Sequence, residues 1–221
     1  ITDLDPALVS RFNIYEFSPT PQEWLLWAAR SKIDERVINF IAEHTDFLDS
    51  DGTKNDESTL EKSPDRRAWE RVSQIIAGEK TIDSPFKKII AGIVGSRAAN
   101  AFFESVQKQR LLTGKDVLTD DFSKFESVIA GYATPELAAL NDSIFRFVET
   151  EAKNLDEKKK VLAAKNIQLY FALLKKRNAR EAMAHFANMF TGTDYPNTLV
   201  FIVERASELY SEITQFVGEI K

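Results

Sequence analysis

The side chains that most often carry acid–base, nucleophilic or metal chemistry are scarce in this sequence. It contains no cysteine and only two histidines, His44 and His185, which stand far apart along the chain. Each histidine lies within an apolar helical run, so we interpret both as partly buried packing residues. A zinc site or a Ser-His-Asp triad therefore has almost nothing to be built from, and we predict no metal site.

Arginine is the remaining residue type whose position could carry chemistry. A guanidinium is a permanent planar cation with several N–H donors, which suits it to bind anionic groups such as phosphates and carboxylates. Arg97 stands at the start of a predicted helix, where a cation opposes the helix dipole. A solvated surface charge is the alternative interpretation for Arg97, as it is for Arg66 and Arg67. For Arg11 the alternative is an ion pair with a nearby acid such as Glu16.

Composition and charge exclude several classes of partner. The net charge of −5 and the pI near 5.3 give no reason to expect nucleic acid. The basic runs at 158–160 and 175–177 lie near acidic residues, which predicts a solvated face. No run of about 18 apolar residues occurs, so we expect no membrane insertion. The absence of cysteine permits a reducing compartment, and we expect a cytoplasmic protein.

The expected fold class is all-α, mainly a helical bundle, with one short orphan strand near the N-terminus. Glycine (8) and proline (7) are scarce and lie between apolar runs, which favours long helices. Residues 49–63 are polar and predict a loop. The helical pattern weakens around 109–134, where Thr113-Gly114 and 131–134 predict connectors. Helical patterns begin at Pro21, Asp34, Pro64, Phe86, Ser96, Pro135, Leu155 and Ala179, and a last helix follows Pro196 with an apolar, heptad-like stripe at 199–217. Trp24, Trp27 and Trp69 predict core packing.

Residues 1–19 differ from the rest of the chain. Residues 5–12 predict a short helix, and 13–17 alternate apolar and polar as a strand does. A single strand needs partners for its backbone N–H and C=O groups. We therefore expect that the chain begins partway through a domain whose sheet precedes it.

Three segments resemble one protein family. They are Asp-Pro-Ala-Leu-Val-Ser-Arg-Phe at 5–12, Asp-Arg-Arg-Ala-Trp-Glu-Arg-Val-Ser at 65–73, and Ile-Val-Gly-Ser-Arg-Ala-Ala-Asn-Ala-Phe at 93–102. Their order and spacing resemble the end of the ATPase core and the helical lid of MoxR-type AAA+ ATPases. Residues 23–28 fit the first lid helix, and the resemblance covers about residues 1–120.

The resemblance implies roles for individual arginines. Arg11 matches the arginine finger that reaches the ATP of the neighbouring subunit in trans. Arg67 matches the lid arginine called sensor 2, which contacts the phosphates of its own subunit's nucleotide. The family has Pro-Arg at this point, whereas here Asp65-Arg66 is inserted after Pro64, which leaves Arg66 as an alternative to Arg67. Arg97 is a further alternative.

The resemblance also implies an architecture and a function. Residues 1–19 would be the last helix and strand of a truncated AAA+ core, 20–112 the helical lid domain, and 113–221 a C-terminal helical region. The parent protein would form a homo-oligomeric ring, often a hexamer in this family, and act as a chaperone-like ATPase that remodels or matures partner proteins. ATP and Mg²⁺ would bind the intact protein. The chain lacks a Gly-x-x-x-x-Gly-Lys-Ser/Thr loop, so it should bind no cofactor and be inactive alone.

Two other functional classes compete with this interpretation. A helical adaptor or scaffold unrelated to ATP would use the stripe at 199–217 as an interface. An independent enzyme with a carboxylate-based site is the weaker rival, because no pair of acids stands out from the surface charge.

Overall fold

The computed structural model describes residues 17–49, 62–79, 81–107 and 111–220. Within these ranges the protein is all-helical, with no β-strand, as the sequence predicts. The predicted helix at 5–12 and most of the predicted loop at 49–63 lie outside the described residues. So does the predicted strand at 13–17, except for Phe17, which is in neither a helix nor a strand.

Five helices and one short 3-10 turn form the first group of elements, which we call the N-terminal unit. They are α1 (Pro21–Arg30), α2 (Glu35–Glu43), the 3-10 turn Thr45–Phe47, α3 (Arg66–Ile76), α4 (Ser84–Val94) and α5 (Ser96–Gln107). Side chains at the N-cap position begin four of these helices. Thr20 forms a capping box with Glu23, and Asp34, Asp65 and Asp83 each accept a backbone N–H of the first turn.

Seven helices form the second group, which we call the C-terminal unit. They are α6 (Gly114–Thr119), α7 (Ser123–Ala130), α8 (Thr134–Glu151, followed by the 3-10 turn Ala152–Asn154), α9 (Glu157–Lys176), α10 (Arg180–Thr191), α11 (Pro196–Arg205) and α12 (Ser207–Ile220). None of the described helices is long and apolar enough to cross a membrane.

Each unit has its own apolar core. One buried cluster runs from Trp24 to Phe102 and the other from Val117 to Ile213. The predicted boundary at residue 112 falls between these two clusters. The assignment of the first part as an AAA+ lid stays a prediction.

Two short helices, α6 and α7, lie in the region around 109–134 where the helical pattern weakens. The predicted connector at 131–134 joins α7 to α8, apart from Thr134, which begins α8, whereas the predicted connector Thr113-Gly114 is wrong at Gly114, which begins α6. Thr113 caps α6 by forming a capping box with Asp116. Gly114 lies against α8 so closely that a Cβ on it would be 2.4 Å from the carbonyl oxygen of Ser143. Glycine here permits close helix packing, although it is more often the sign of a loop.

The predicted single helix after Pro196 is also wrong. The backbone at Ala206 leaves the helical region (φ −138°, ψ 52°), and the chain continues as a separate helix, α12. Ile202 and Ile213 are buried, whereas Leu199 and Val203 stay about 40% and 45% exposed. The apolar stripe is therefore divided between the core and the solvent, and this division already occurs within α11.

The tryptophans follow the prediction in two cases of three. Trp24 and Trp69 are buried, but Trp27 is 43% exposed. Trp27 contacts the ring of Trp24 with centroids 6.1 Å apart, so it covers the edge of the core from outside.

Candidate functional site: the arginine-bearing end of the N-terminal unit

A cluster of aromatic rings holds the helices that carry the candidate arginines. Phe40 of α2, Trp69 of α3 and Phe102 of α5 are fully buried, and their ring centroids lie 5.2–5.7 Å apart. Phe47 stacks on Phe40 at 5.6 Å, and its carbonyl accepts a hydrogen bond of 2.7 Å from Trp69 Nε1. Three helices and the segment that follows α2 are therefore packed into one rigid arrangement.

The starts of α3 and α5 lie at the same end of this unit. Gly95, just before α5, has a positive φ of 84°, and a Cβ on it would lie 2.0 Å from the carbonyl oxygen of Lys62, just before α3. Only glycine meets both conditions without strain. The segment 45–49 contacts arginines from both helices, since Asp49 binds Arg66 and Phe47 binds Arg97.

The two ends of α3 are held by different charged groups. At its start, Asp65 accepts the N–H of Ala68 at 2.7 Å. At its other end, the Arg36 guanidinium donates to the carbonyl of Ile76 at 2.8 Å and to that of Glu79 at 2.9 Å. The Asp34 carboxylate hydrogen-bonds Arg36 and raises the pKa of this arginine, so the cap stays charged. The helix that carries Arg66 and Arg67 is therefore anchored at both ends by charged side chains.

Arg66 is engaged in structural contacts. Its guanidinium binds the Asp49 carboxylate through Nε at 3.0 Å and Nη2 at 2.9 Å, and Nη2 also donates to the Pro19 carbonyl at 2.6 Å. These bonds tie the start of α3 to the segments before α1 and after α2. An open depression of about 400 Å³ lies beside it, lined by Phe17, Ser18, Pro19 and Arg66. Arg66 Nη1 is buried there without a hydrogen-bond acceptor among the described residues.

Arg67 is exposed at the second position of α3. Within the part of the chain that the structure describes, no carboxylate or carbonyl pairs with its side chain. A cation near a helix N-terminus is disfavoured by the helix dipole unless an anion compensates it. The Asp65 cap supplies a carboxylate nearby, but the Arg67 side chain is exposed and has no hydrogen-bond acceptor among the described residues.

Arg97 is exposed at the second position of α5, and its guanidinium lies over the ring of Phe47, 5.4 Å from the centroid. This is a cation–π contact of the kind that orients an exposed arginine. Arg97 is thus a partly engaged cation, intermediate between Arg66 and Arg67. Arg11 lies outside the described residues.

Both histidines are partly buried, as predicted. His44 packs against Phe40 and Phe47, with ring centroids 5.2 and 6.2 Å away. His185 lies 3.9 Å from a carboxylate oxygen of Asp142. No group of three or more histidine, aspartate or glutamate side chains suited to a metal ion occurs in the described ranges.

Sequence reasoning missed a set of buried polar side chains in the C-terminal unit. Asn141, Arg146 and Glu149 lie on α8 and are at most 6% exposed. The sequence pattern could have predicted them, because Asn141 and Glu149 stand four residues after Leu137 and Phe145, on the apolar face of α8. A polar residue at such a position predicts an internal hydrogen bond.

Comparisons with protein-family models, with curated proteins and with solved structures find no match for this chain.

Proposed function

We propose that this chain is the C-terminal part of a MoxR-like AAA+ ATPase whose N-terminal unit is the helical lid. The observation that carries the proposal is the difference between the two adjacent arginines of α3. The Arg66 guanidinium is hydrogen-bonded to the Asp49 carboxylate and the Pro19 carbonyl. The Arg67 side chain is exposed and has no partner among the described residues. A guanidinium carried on a firmly packed helix and left unpaired among the described residues is suited to an anionic ligand.

In this proposal Arg67 contacts the phosphates of the nucleotide bound to its own subunit. The charge on the phosphoryl oxygens is then neutralised by a planar donor group that the aromatic cluster holds in place. Movement of the lid would bring Arg67 toward or away from the nucleotide. Arg11 would complete the ATP site of the neighbouring subunit in a homo-oligomeric ring.

The intact protein would bind ATP and Mg²⁺ through the core, with the Gly-x-x-x-x-Gly-Lys-Ser/Thr loop roughly 100–150 residues before Ile1. Hydrolysis would drive the remodelling or maturation of a partner protein. A parent gene that lacks this loop upstream would reject the ATPase function outright.

The experiment that tests the assignment of Arg67 uses the intact protein. Arg67→Ala should lower kcat for ATP hydrolysis by about 100- to 1000-fold, the cost of removing one donor that stabilises transition-state charge. Arg66→Ala is the matched control on the same helix turn. It should lower the melting temperature while the correctly folded fraction keeps most of its activity. If Arg66→Ala removes activity and Arg67→Ala does not, the assignment is reversed.

A helical adaptor unrelated to ATP is the second candidate, and one observation favours it. Leu199, Val200 and Val203 leave 40–52% of their surfaces exposed on one side of α11. Apolar side chains at this spacing suit a helix-in-groove contact. Replacing Val200 by Asp would abolish binding of a partner in this case, and would leave ATP hydrolysis by the intact protein unchanged.

A further inference from the structure

Polar side chains of both units meet where the two units contact each other. Three polar pairs cross this contact among the described residues. The Gln22 side-chain amide donates to the Tyr195 hydroxyl, Arg30 lies 3.9 Å from the Glu149 carboxylate, and Arg146 Nη2 lies 3.4 Å from Asn39 Oδ1. We call these six residues the polar joint. Leu26 of α1 adds a partly buried apolar contact with the C-terminal core.

The buried cation of the polar joint is Arg146. Arg146 is 6% exposed, and its hydrogen bond to Asn39 is long. Burial lowers the pKa of Arg146, while Tyr195, Asp142 and Glu35 oppose this effect. Glu35 belongs to the N-terminal unit, so the charge of Arg146 is compensated partly from across the contact. Burying a guanidinium is costly, so its position depends on the groups that compensate its charge.

The joint also involves the first turn of α11. Glu149 is buried, and its carboxylate accepts hydrogen bonds from the Thr198 N–H at 3.0 Å, the Thr198 hydroxyl at 3.3 Å and the Asn197 side-chain amide. Tyr195 directly precedes α11 and binds Gln22. Two of the three pairs that cross between the units therefore converge on the start of one helix.

The apolar cores do not merge across this contact, since the two buried clusters are separate. Interfaces between domains that are polar and rest on few apolar contacts usually permit relative motion. Asn39 and Glu35 approach Arg146 from the other unit, so the contact contributes to the compensation of this buried charge.

We propose that the polar joint is a reversible latch, and that the two units separate as rigid bodies when its side-chain pairs are broken. The latch sets the position of α1, and with it the N-terminal unit, relative to the start of α11. The proposal concerns this chain alone and holds whether or not the parent protein is an ATPase.

The test measures the distance between the units in the full 221-residue chain. Because the sequence contains no cysteine, two introduced ones are labelled uniquely, at the exposed positions Gln74 of α3 and Lys165 of α9. Pulsed electron spin resonance then gives the distance distribution. The starting protein should show one narrow distance. A variant that combines Gln22→Ala, Arg30→Ala and Asn39→Ala should raise the ratio of separated to docked molecules at least about tenfold.

Two further variants control for damage to the units themselves. Arg205→Ala removes an exposed ion pair with Glu157, 2.9 Å long, within the C-terminal unit and should leave the distance distribution unchanged. Asn39→Leu combined with Arg146→Met replaces the polar pair by an apolar one and should keep the units docked. Circular dichroism should show the same helix content in every variant.

Two results would overturn the proposal. One is a narrow, unchanged distance in the triple variant, which would mean that the units form a permanent single body. The other is a broad distribution in the starting protein, which would mean that the joint does not hold them at all.

Discussion

The two units of this protein stabilise their helices in different ways. Among the described residues, the N-terminal unit buries only one polar side chain, Ser73, which accepts the N–H of Asp34. Its core is otherwise apolar and aromatic, and the helix starts that carry Arg66, Arg67 and Arg97 lie at one end. The C-terminal unit buries polar side chains throughout its core: Thr113, Asn141, Arg146, Glu149, Asn166 and Thr198.

The buried polar groups of the C-terminal unit connect long helices to the ends of short ones. The Asn166 amide donates to the carbonyls of Val117 and Asp120 at the end of α6, at 2.8 and 2.6 Å. Asn141 donates to the carbonyl of Ala182 in α10, and Glu149 caps α11. Apolar contact is non-directional, whereas a hydrogen bond in a buried site tolerates one geometry. We infer that apolar packing determines the positions of the helices in the N-terminal unit. In the C-terminal unit, buried hydrogen bonds determine them as well.

Substitution in the aromatic core of the N-terminal unit is expected to cause the largest loss of stability. Trp69→Ala should destabilise it by about 3–5 kcal/mol, because the residue is fully buried and would lose its contacts with two aromatic rings and its hydrogen bond to one backbone carbonyl. Trp27→Ala, at a 43% exposed position, is the control and should cost far less. Thermal unfolding followed by circular dichroism measures both. Equal losses would mean that the aromatic cluster does not dominate this unit.

Next in size is the loss of the buried carboxylate in the C-terminal unit. Glu149→Ala should lower the free energy of unfolding by about 2–3 kcal/mol, since the Thr198 N–H would remain buried without its charged acceptor. Glu149→Gln, which keeps one acceptor oxygen, should lose less. The control is Glu204→Ala on the exposed side of α11. Urea denaturation measures these free energies of unfolding. If Glu149→Ala lowers the free energy of unfolding by less than the control does, the Glu149 carboxylate does not stabilise the fold.

A smaller loss is expected for the amide that holds α6. Asn166→Ala should cost about 1–3 kcal/mol because two backbone carbonyls lose their donor. Amide hydrogen exchange should show the extra opening in α6 first. Lys165→Ala, exposed on the neighbouring position of α9, should leave that exchange unchanged.

The smallest effect is a dependence of stability on pH. Burial raises the pKa of Asp142, and the charges of His185 and Arg146 only partly offset it. An acid whose pKa is higher in the folded state favours folding while protonated, so its contribution is lost as pH rises from the ordinary carboxyl value of about 3.9 through the raised value. Asp142→Asn should therefore melt higher than the parent at pH 7 and no higher at pH 3. A lower melting temperature at pH 7 would show that the charge of Asp142 stabilises the fold, as a partner of Arg146.

Local signals in the sequence determined where many helices begin and which face of each is buried. Asp34 and Asp65 stand at the N-cap positions of helices predicted to start there, and Trp69, Val72 and Ile76 form the buried face of α3 as their spacing predicts. Capping and periodicity act between residues at most four apart, so a single sequence carries them.

Only the tertiary structure decided which distant residues meet. It brings Arg66 and Arg97 to one segment, leaves Arg67 exposed, and turns Glu149 toward the start of α11. It also interrupts the last predicted helix at Ala206, although the apolar stripe at 199–217 predicts one continuous helix. These outcomes depend on contacts between residues that are dozens of positions apart, and neither periodicity nor capping contains that information.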